Sequence, residues 1–365
     1  MMVSSPLLTA LTLAVALLVL THPALAGESP PVVTVDECAL IGNGVKRLAC
    51  FDAVVNTRER VNQASEQEIE AVEQRTTLLA PARDGDGGEV IAGTGIAEAL
   101  VSRHLATEKA FMSFAGGFLP YKQSYLLPYT RSFRPNQTPS TPTLGDTDYK
   151  YGVDEDEAKF QISFKLPLLT GLFDDKTTLW FGYTQLSFWQ LYNTAESAPF
   201  RETNYEPEIF ARYDAGLNIG PGRIDTVAIG FNHQSNGRTE PQSRSWNRIT
   251  GTLVYGVDNW LFMVSPWYRL PEGSDDNNPD IDRYLGYGDF LAVYKIDEDQ
   301  SASLKLRNNL RHSDNKTSLE IGYSFPIGDT LKGYVQYFNG YGESLVDYNH
   351  RSHRLGFGIM LHDWL

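Results

Sequence analysis

Long apolar runs, basic clusters and cysteines are all scarce in this 365-residue chain, and each scarcity excludes a class of protein. After residue 26 no segment offers the ~18–20 uninterrupted apolar residues of a membrane-spanning helix, which excludes a helical membrane protein. Lys and Arg number 31 against 45 Asp and Glu, giving a net charge of −14 with no basic block. That balance argues against nucleic acid as a partner.

Cysteine occurs only twice, as Cys38 and Cys50, and both residues lie near the N-terminus. Their spacing differs from the C-x-x-C pattern of metal-binding or redox pairs. In an oxidising compartment we expect them to form one disulfide that closes a small loop.

The N-terminal segment predicts export from the cytoplasm. An apolar run over residues 7–20 precedes Ala24-Leu25-Ala26, which has the A-x-A pattern of a signal-peptide cleavage site. A transmembrane anchor is the alternative, but the run is short and ends in the cleavage motif. We therefore predict a signal peptide over residues 1–26.

Residues 27–110 differ in composition from the remainder of the chain. They hold both cysteines, a Glu- and Gln-rich stretch over 63–75 that predicts a helix, and a linker over 81–88 that is rich in Gly and Asp. We interpret this region as a small N-terminal periplasmic extension, to which the pattern assigns no role. A single domain over residues 111–365 follows it.

From about residue 120 onward, apolar and polar residues alternate with period 2, as in strands whose two faces meet different surroundings. The alternation predicts twelve strands, over residues 120–130, 158–168, 177–192, 204–216, 224–235, 246–257, 259–270, 283–296, 300–309, 316–325, 330–339 and 352–362. Their number is even, and many reach the ~9–11 residues that cross a bilayer. The mean hydropathy of −0.30 fits a sheet with one polar face.

These features predict an all-β fold, a 12-stranded antiparallel transmembrane β-barrel. A sheet in lipid must close, because an open edge would leave backbone groups unpaired in hydrocarbon. Tyr and Trp recur near the strand ends, where interfacial girdles lie. A soluble β-sandwich or jelly roll is the alternative, since it also alternates, but the export signal and the even number of strands favour the barrel.

One face of a predicted strand carries both apolar and reactive side chains. His233 and Ser235 share that face with Phe231, and they lie about 6.6–7 Å apart along the strand. Asn247 falls on the corresponding face of the next strand, so a hairpin would bring it beside the histidine. A serine nucleophile needs a base, and the base needs a third group that fixes its tautomer. The alternative without a catalytic role is a histidine at the barrel rim beside a turn serine, because H-x-S is common by chance.

Longer stretches around these residues match a known family. The matching segments are Asn232-His233-Gln234-Ser235-Asn236-Gly237-Arg238, Ser243-Arg244-Ser245-Trp246-Asn247-Arg248, and the residues 183–185, 197–207, 278–281 and 340–345. Together they resemble the outer-membrane phospholipase A family, also called detergent-resistant phospholipase A. The resemblance spans about residues 120–365 and leaves out the cysteine-bearing extension.

The resemblance implies a catalytic triad on the outer face of a 12-stranded barrel. Carried over by position, Ser235 is the nucleophile, His233 the general base and Asn247 the residue that orients the histidine. It also implies a phospholipid substrate, hydrolysed at its acyl esters with A1, A2 and lysophospholipase activity. The implied location is the outer membrane of a Gram-negative cell.

A required calcium ion and a homodimer are further implications of the resemblance. The implied calcium ligands are the Ser243 hydroxyl, the Arg238 carbonyl and Ser197 from a second copy of the chain. Asp276 is favoured over its neighbour as a ligand of a secondary calcium site. Such oxygen ligands suit a hard cation. Gln185 matches a polar residue at the family's dimer interface, and dimerisation activates the family's enzymes.

Two other functions stay open at the level of sequence. A passive outer-membrane pore would make the H-x-S pattern incidental, although twelve strands enclose a narrow interior. Arg201, Glu202 and Arg212 are expected to fill that interior with charge. A lipid A deacylase, another barrel that uses serine and histidine, is the second alternative.

Overall fold

The computed structural model describes residues 117–297, 299–328 and 331–364, together with residues 101, 104, 105 and 108. The signal peptide, the disulfide between Cys38 and Cys50 and the helix over 63–75 all lie outside the described residues and stay predictions. No helix in the described ranges is both long and apolar enough to cross a membrane.

Fifteen strands are found in the described part of the chain. They are β1 (Leu119–Pro120), β2 (Ser124–Ser132), β3 (Ser140–Thr141), β4 (Gly145–Asp146), β5 (Asp156–Thr170), β6 (Thr177–Trp189), β7 (Phe200–Ile219), β8 (Gly222–Ser235), β9 (Ser245–Val257), β10 (Trp260–Arg269), β11 (Gly288–Lys295), β12 (Ser301–Asn308), β13 (Thr317–Ile327), β14 (Leu331–Gly340) and β15 (Ser352–His362). A 3₁₀ turn (Thr194–Glu196) and a short helix (Ile281–Leu285) interrupt them.

Twelve of these strands close into a barrel. Each long strand pairs antiparallel with its neighbours in chain order, β15 pairs with β2, and β5 pairs with both β2 and β6, which completes the ring. The predicted 12-stranded antiparallel barrel is therefore confirmed, and the soluble sandwich is wrong. β3 and β4 form a separate hairpin in the connection between β2 and β5.

All twelve predicted strands are present, and the largest displacement of a strand start is at β11. The strand expected over 283–296 begins only at Gly288, because the preceding residues form the short helix. That helix buries Ile281 and Leu285 against Trp246 and Trp267. Burial of an apolar pair at helical spacing has therefore overridden the alternation at the start of this strand.

The two faces of the wall differ as the alternation predicts. On β8, the outward residues Val227, Ile229 and Phe231 are 42%, 64% and 43% exposed, whereas the inward Asn232 is 1% exposed. Exposed apolar side chains cost little free energy in lipid, and the closed hydrogen-bonded wall leaves no open sheet edge there.

Charged side chains fill the barrel interior in the part that the structure describes. Arg201 contacts Glu157 at 3.0 Å and Asp347 at 2.5 Å. Arg354 joins Glu157 at 2.8 Å to Glu343 at 2.9 Å. Because a buried charge is tolerated only when it is paired, this cluster links β5, β7 and β15, which are not adjacent in the sheet. Arg201, Glu202 and Arg212, the predicted luminal charges, are all buried.

Three helical residues from before the barrel, Val101, His104 and Leu105, also line its interior cavity of about 330 Å³. Val101 and Leu105 pack on an apolar patch of the inner wall that includes Leu261 and Leu291. Glu108 forms ion pairs with Lys165 and Arg212 of the inner wall. The sequence pattern did not assign these residues a place in the barrel.

The connections at the two ends of the barrel differ in length. At one end β7 turns into β8 between Ile219 and Gly222, and β9 turns into β10 between Val257 and Trp260. The other end carries long connections, such as residues 133–155 and 270–287. Outer-membrane barrels have short periplasmic turns and long extracellular loops, so the long connections mark the extracellular end.

Candidate active site on the outer face of the barrel

Strands β8 and β9 bring the predicted triad residues to one surface. In the register of this pair, His233 lies opposite Asn247, and Ser235 lies opposite Ser245. All of them are half-buried on the outer face, whereas their neighbours Trp246 and Arg248 are buried on the inner side. The site lies at the end of β8 that leads into a long connection, at the extracellular rim.

His233 and Asn247 are in direct contact. The Nδ1 atom of His233 lies 2.8 Å from the Oδ1 atom of Asn247. Because an amide oxygen only accepts, Nδ1 carries the proton in this contact and Nε2 is left with its lone pair. This tautomer is the one that a general base requires.

Ser235 is the last residue of β8 and shares the outer face with His233, two positions away. In the described part of the chain no hydrogen bond joins the Ser235 hydroxyl to the His233 ring. Contacts of this kind are often long before substrate binds and tighten in the reacting complex. The structure thus pairs two of the three predicted residues and brings the third to the same surface.

Asn247 has a second partner that the sequence did not predict. Its Nδ2 atom donates a hydrogen bond to the Glu272 carboxylate at 3.0 Å. Glu272 belongs to the long connection between β10 and β11, where no periodicity fixes which residue meets the strands. Its contact with the triad could therefore be found only from the folded chain.

The inner side of the same two strands is densely bonded. Arg248 donates to Asn232 at 2.5 Å, and Asn232 donates to Glu206 at 2.8 Å. The Arg248 guanidinium also lies 4.1 Å from the centre of the Trp246 ring. These contacts fix the register of β8 on β9 from behind the triad.

The connection over residues 236–244 contains two of the implied calcium ligands, Arg238 and Ser243. The buried Asn236 closes this loop, donating to the Gln242 carbonyl at 2.8 Å and accepting from the Arg244 amide at 3.0 Å. The Arg238 guanidinium turns inward to Glu202 at 3.2 Å. A serine hydroxyl and a backbone carbonyl in one closed loop are oxygen donors, and their chemistry fits a hard divalent cation.

The other two implied ligands lie on different connections. Ser197 is exposed after the 3₁₀ turn and has φ 59°, in the left-handed region. Asp276 is engaged within its own loop, since its carboxylate meets Arg269 at 2.6 Å and accepts from the Asn278 amide at 3.0 Å. No cluster of three or more His, Cys, Asp or Glu residues that could hold a metal occurs among the described residues.

Gln185 lies on the lipid-facing side of β6. Its side chain accepts from the Tyr183 hydroxyl at 3.1 Å and donates to the Ser187 hydroxyl at 3.2 Å. An amide on a lipid-facing surface is costly unless its hydrogen bonds are satisfied. These local bonds lower that cost in a single copy of the chain.

A family model described as phospholipase A1 matches residues 101–361. The chain belongs to the phospholipase A1 family. A putative phospholipase A1 of Neisseria meningitidis is 37% identical over 350 residues, which cover 90% of each chain. Phospholipase A1 of Klebsiella pneumoniae is 41% identical over 244 residues, covering 67% of this chain and 82% of the relative.

Solved structures agree with this assignment. Outer membrane phospholipase A from Escherichia coli is 38% identical, with a TM-score of 0.62 over 68% of this chain and 99% of that one. The outer membrane phospholipase of Salmonella typhi, solved as a dimer with bound calcium, is also 38% identical with a TM-score of 0.62, covering 68% and 94%. The predicted phospholipase class and outer-membrane location are thereby confirmed.

Proposed function

We propose that this member of the phospholipase A1 family is a calcium-dependent enzyme that hydrolyses the acyl esters of glycerophospholipids and lysophospholipids. We assign its chemistry to a triad of Ser235, His233 and Asn247 on the lipid-facing surface. The observation that carries this proposal is the 2.8 Å contact between His233 and Asn247 on the outer face, with Ser235 beside them.

The chemistry follows from the atoms of these three side chains. Nε2 of His233 takes the proton of the Ser235 hydroxyl as its oxygen attacks the ester carbonyl. The Asn247 oxygen holds the Nδ1 proton and stabilises the imidazolium that forms. The imidazolium then protonates the leaving alcohol, and the lysolipid departs from an acyl-serine. His233 next activates water, which releases the fatty acid and restores Ser235.

Calcium, when bound by the Ser243 hydroxyl and the Arg238 carbonyl, would supply positive charge for the oxyanion of the tetrahedral intermediate. The support for this role is the oxygen-donor loop next to Ser235 and the bound calcium of the Salmonella typhi relative. Removal of calcium by a chelator is expected to silence the enzyme reversibly. Activity that persists in chelator would contradict the metal assignment.

The position of the triad indicates which molecules reach it. An ester bond of a glycerophospholipid lies at the boundary between headgroup and hydrocarbon, which is the level of the barrel rim. Apolar residues such as Ile229 and Phe231 continue from the triad along the outer face, where acyl chains can lie. A substrate therefore approaches sideways from the bilayer.

We further propose that the active form is a homodimer in which Ser197 and Gln185 act between subunits. The support is the dimer of the Salmonella typhi relative and the exposure of Ser197 near the triad end of the barrel. A second copy placed against this face would add Ser197 to the calcium ligands. Activity should then depend on protein concentration in micelles.

The test of the proposal is fatty-acid release from diacylglycerophospholipid in mixed micelles with calcium, using the full chain. Ser235→Ala should reduce release to the background rate, and Ser313→Ala, which changes an exposed serine of another extracellular loop, should match the wild type. Full activity of Ser235→Ala would remove the triad from the reaction. Release from lipopolysaccharide but not from phospholipid would favour a lipid A deacylase instead.

A passive channel receives no support from the interior of the barrel. The ion pairs of Glu157 with Arg201 and Arg354 cross the described lumen near its extracellular end. Val101, Leu105 and Glu108 contact the inner wall further along. An ion-conductance measurement in planar bilayers should show no stable pore.

A further inference from the structure

We infer that Glu272 is a positioning residue for the triad, fixing the amide of Asn247 so that its oxygen faces His233. The inference rests on the proposed function, because it assigns a partner to the triad's third residue. It adds a fourth side chain that does not touch the substrate.

Both ends of the Asn247 amide are used, and by different partners. Oδ1 lies 2.8 Å from His233 Nδ1, and Nδ2 lies 3.0 Å from Glu272 Oε1. A carboxylate only accepts hydrogen bonds, so it selects the NH₂ end of the amide. The oxygen end is thereby directed to the histidine.

The alternative orientation of the amide would be harmful. A flipped Asn247 would present its NH₂ group to Nδ1 of His233 and would favour the tautomer with the proton on Nε2. That tautomer cannot accept the proton of Ser235. A flipped amide would also present its oxygen to the Glu272 carboxylate, two acceptors in contact, which is unfavourable. Glu272 therefore disfavours the inactive arrangement on energetic grounds.

Glu272 is held near Asn247 by the loop that carries it. The amide of Leu270 donates to the Asn247 carbonyl at 2.8 Å, which ties the start of the loop to β9. Further along, the fully buried Asn278 bonds to the backbone of Ser245 in both directions, at 3.0 Å and 2.9 Å. The loop is thus fastened to β9 on both sides of Glu272.

The arrangement also separates charge from lipid. A carboxylate placed directly on His233 would lie at the lipid-facing surface, where burying it is costly. Here a neutral amide contacts the histidine, and the negative charge lies on the far side of that amide, on the half-buried side chain of Glu272. When His233 takes up a proton, the polarised amide transmits part of the stabilisation of that charge.

The experiment measures kcat, KM and the calcium concentration for half-maximal activity on diacylglycerophospholipid micelles, with the full chain. Glu272→Ala should lower kcat about tenfold with KM and the calcium requirement unchanged, since one hydrogen bond is lost. Glu272→Gln keeps an acceptor oxygen and should retain at least about half of kcat. Asp314→Ala, an equal charge change in another extracellular loop, is the matched control and should behave as the wild type.

A double variant separates this inference from the proposed function. Adding Glu272→Ala to Asn247→Ala should cause no further loss, because the carboxylate acts only through the amide. Wild-type kcat in Glu272→Ala, alongside a loss in Asn247→Ala, would overturn the positioning role and leave the triad intact. An additive loss, or a raised calcium requirement, would place Glu272 in another function and overturn the inference. Wild-type kcat in Asn247→Ala would instead overturn the triad.

Discussion

The inner and outer faces of strands β8 and β9 are stabilised in opposite ways. On the inner face, Arg248, Asn232 and Glu206 are joined by several charged hydrogen bonds out of contact with lipid. On the outer face, a single line of contacts runs from His233 through Asn247 to Glu272. In the proposed function, the inner network fixes the scaffold and the outer line performs the chemistry. Activity and stability should therefore respond to different substitutions.

The largest expected effect is on the outer face, from Ser235→Ala. Loss of the nucleophile should lower kcat by roughly 10³-fold or more. The barrel should stay folded, because the Ser235 hydroxyl bonds to no other side chain among the described residues. Activity is measured by steady-state hydrolysis. Stability is measured by the temperature at which the protein changes from its folded to its unfolded mobility on gels. If this variant unfolded at a lower temperature than the wild type, the outer face would contribute to stability as well as to activity, which would contradict the comparison.

The converse change on the inner side is Glu157→Ala. It leaves Arg201 and Arg354 without their shared carboxylate in a buried site and should cost about 3–5 kcal/mol of stability. The specific activity of the protein that remains folded should change little. Equilibrium unfolding in denaturant measures the loss. A stable Glu157→Ala barrel would mean that the luminal ion pairs contribute little to the scaffold.

A smaller loss is expected from Asn247→Ala. A hydrogen bond to a charged group contributes about 1.5–3 kcal/mol, so kcat should fall roughly ten- to a hundred-fold with the barrel intact. The loss of kcat should therefore be smaller in Asn247→Ala, which removes the orientation of the histidine, than in Ser235→Ala, which removes the nucleophile. An equal loss in the two variants would give Asn247 a role beyond orienting the histidine.

Acid should weaken the ion pairs inside the barrel. Burial raises the pKa of Glu343, but Arg354 and Lys159 outweigh this and hold that pKa below its ordinary value. A lowered folded pKa gives stability that is present above the unfolded value of about 4.3 and is lost as pH falls through the folded value. Glu343→Gln should therefore flatten the decline of unfolding free energy below pH 4. An unchanged pH dependence would exclude Glu343 from acid unfolding.

The smallest effect is expected from Gln185→Ala on the lipid-facing surface. Its loss removes one cross-subunit hydrogen bond in the proposed dimer and should weaken association by about 0.5–1.5 kcal/mol. Crosslinking in micelles across a range of protein concentrations reports the change. Undiminished crosslinking would remove Gln185 from the interface.

The strands and the two faces of the wall were predictable because their side chains alternate with period 2. The pairing of His233 with Asn247 was also within reach of sequence, since a hairpin between two alternating strands fixes which faces meet. Glu272 was not, because the long connection that carries it has no periodicity. The start of β11 was misplaced because two buried residues at helical spacing lie within an apparent strand. The placement of Glu108 depends on tertiary ion pairs that no local pattern encodes.

Covalent labelling tests the central claim most directly. The full chain in micelles with calcium is treated with an alkylsulfonyl fluoride, and the modified peptide is identified by mass spectrometry. The account predicts one adduct, on Ser235, that forms as activity is lost and is greatly slowed in His233→Ala. Inactivation with the adduct on another residue, or labelling of Ser235 at the same rate without His233, would contradict it.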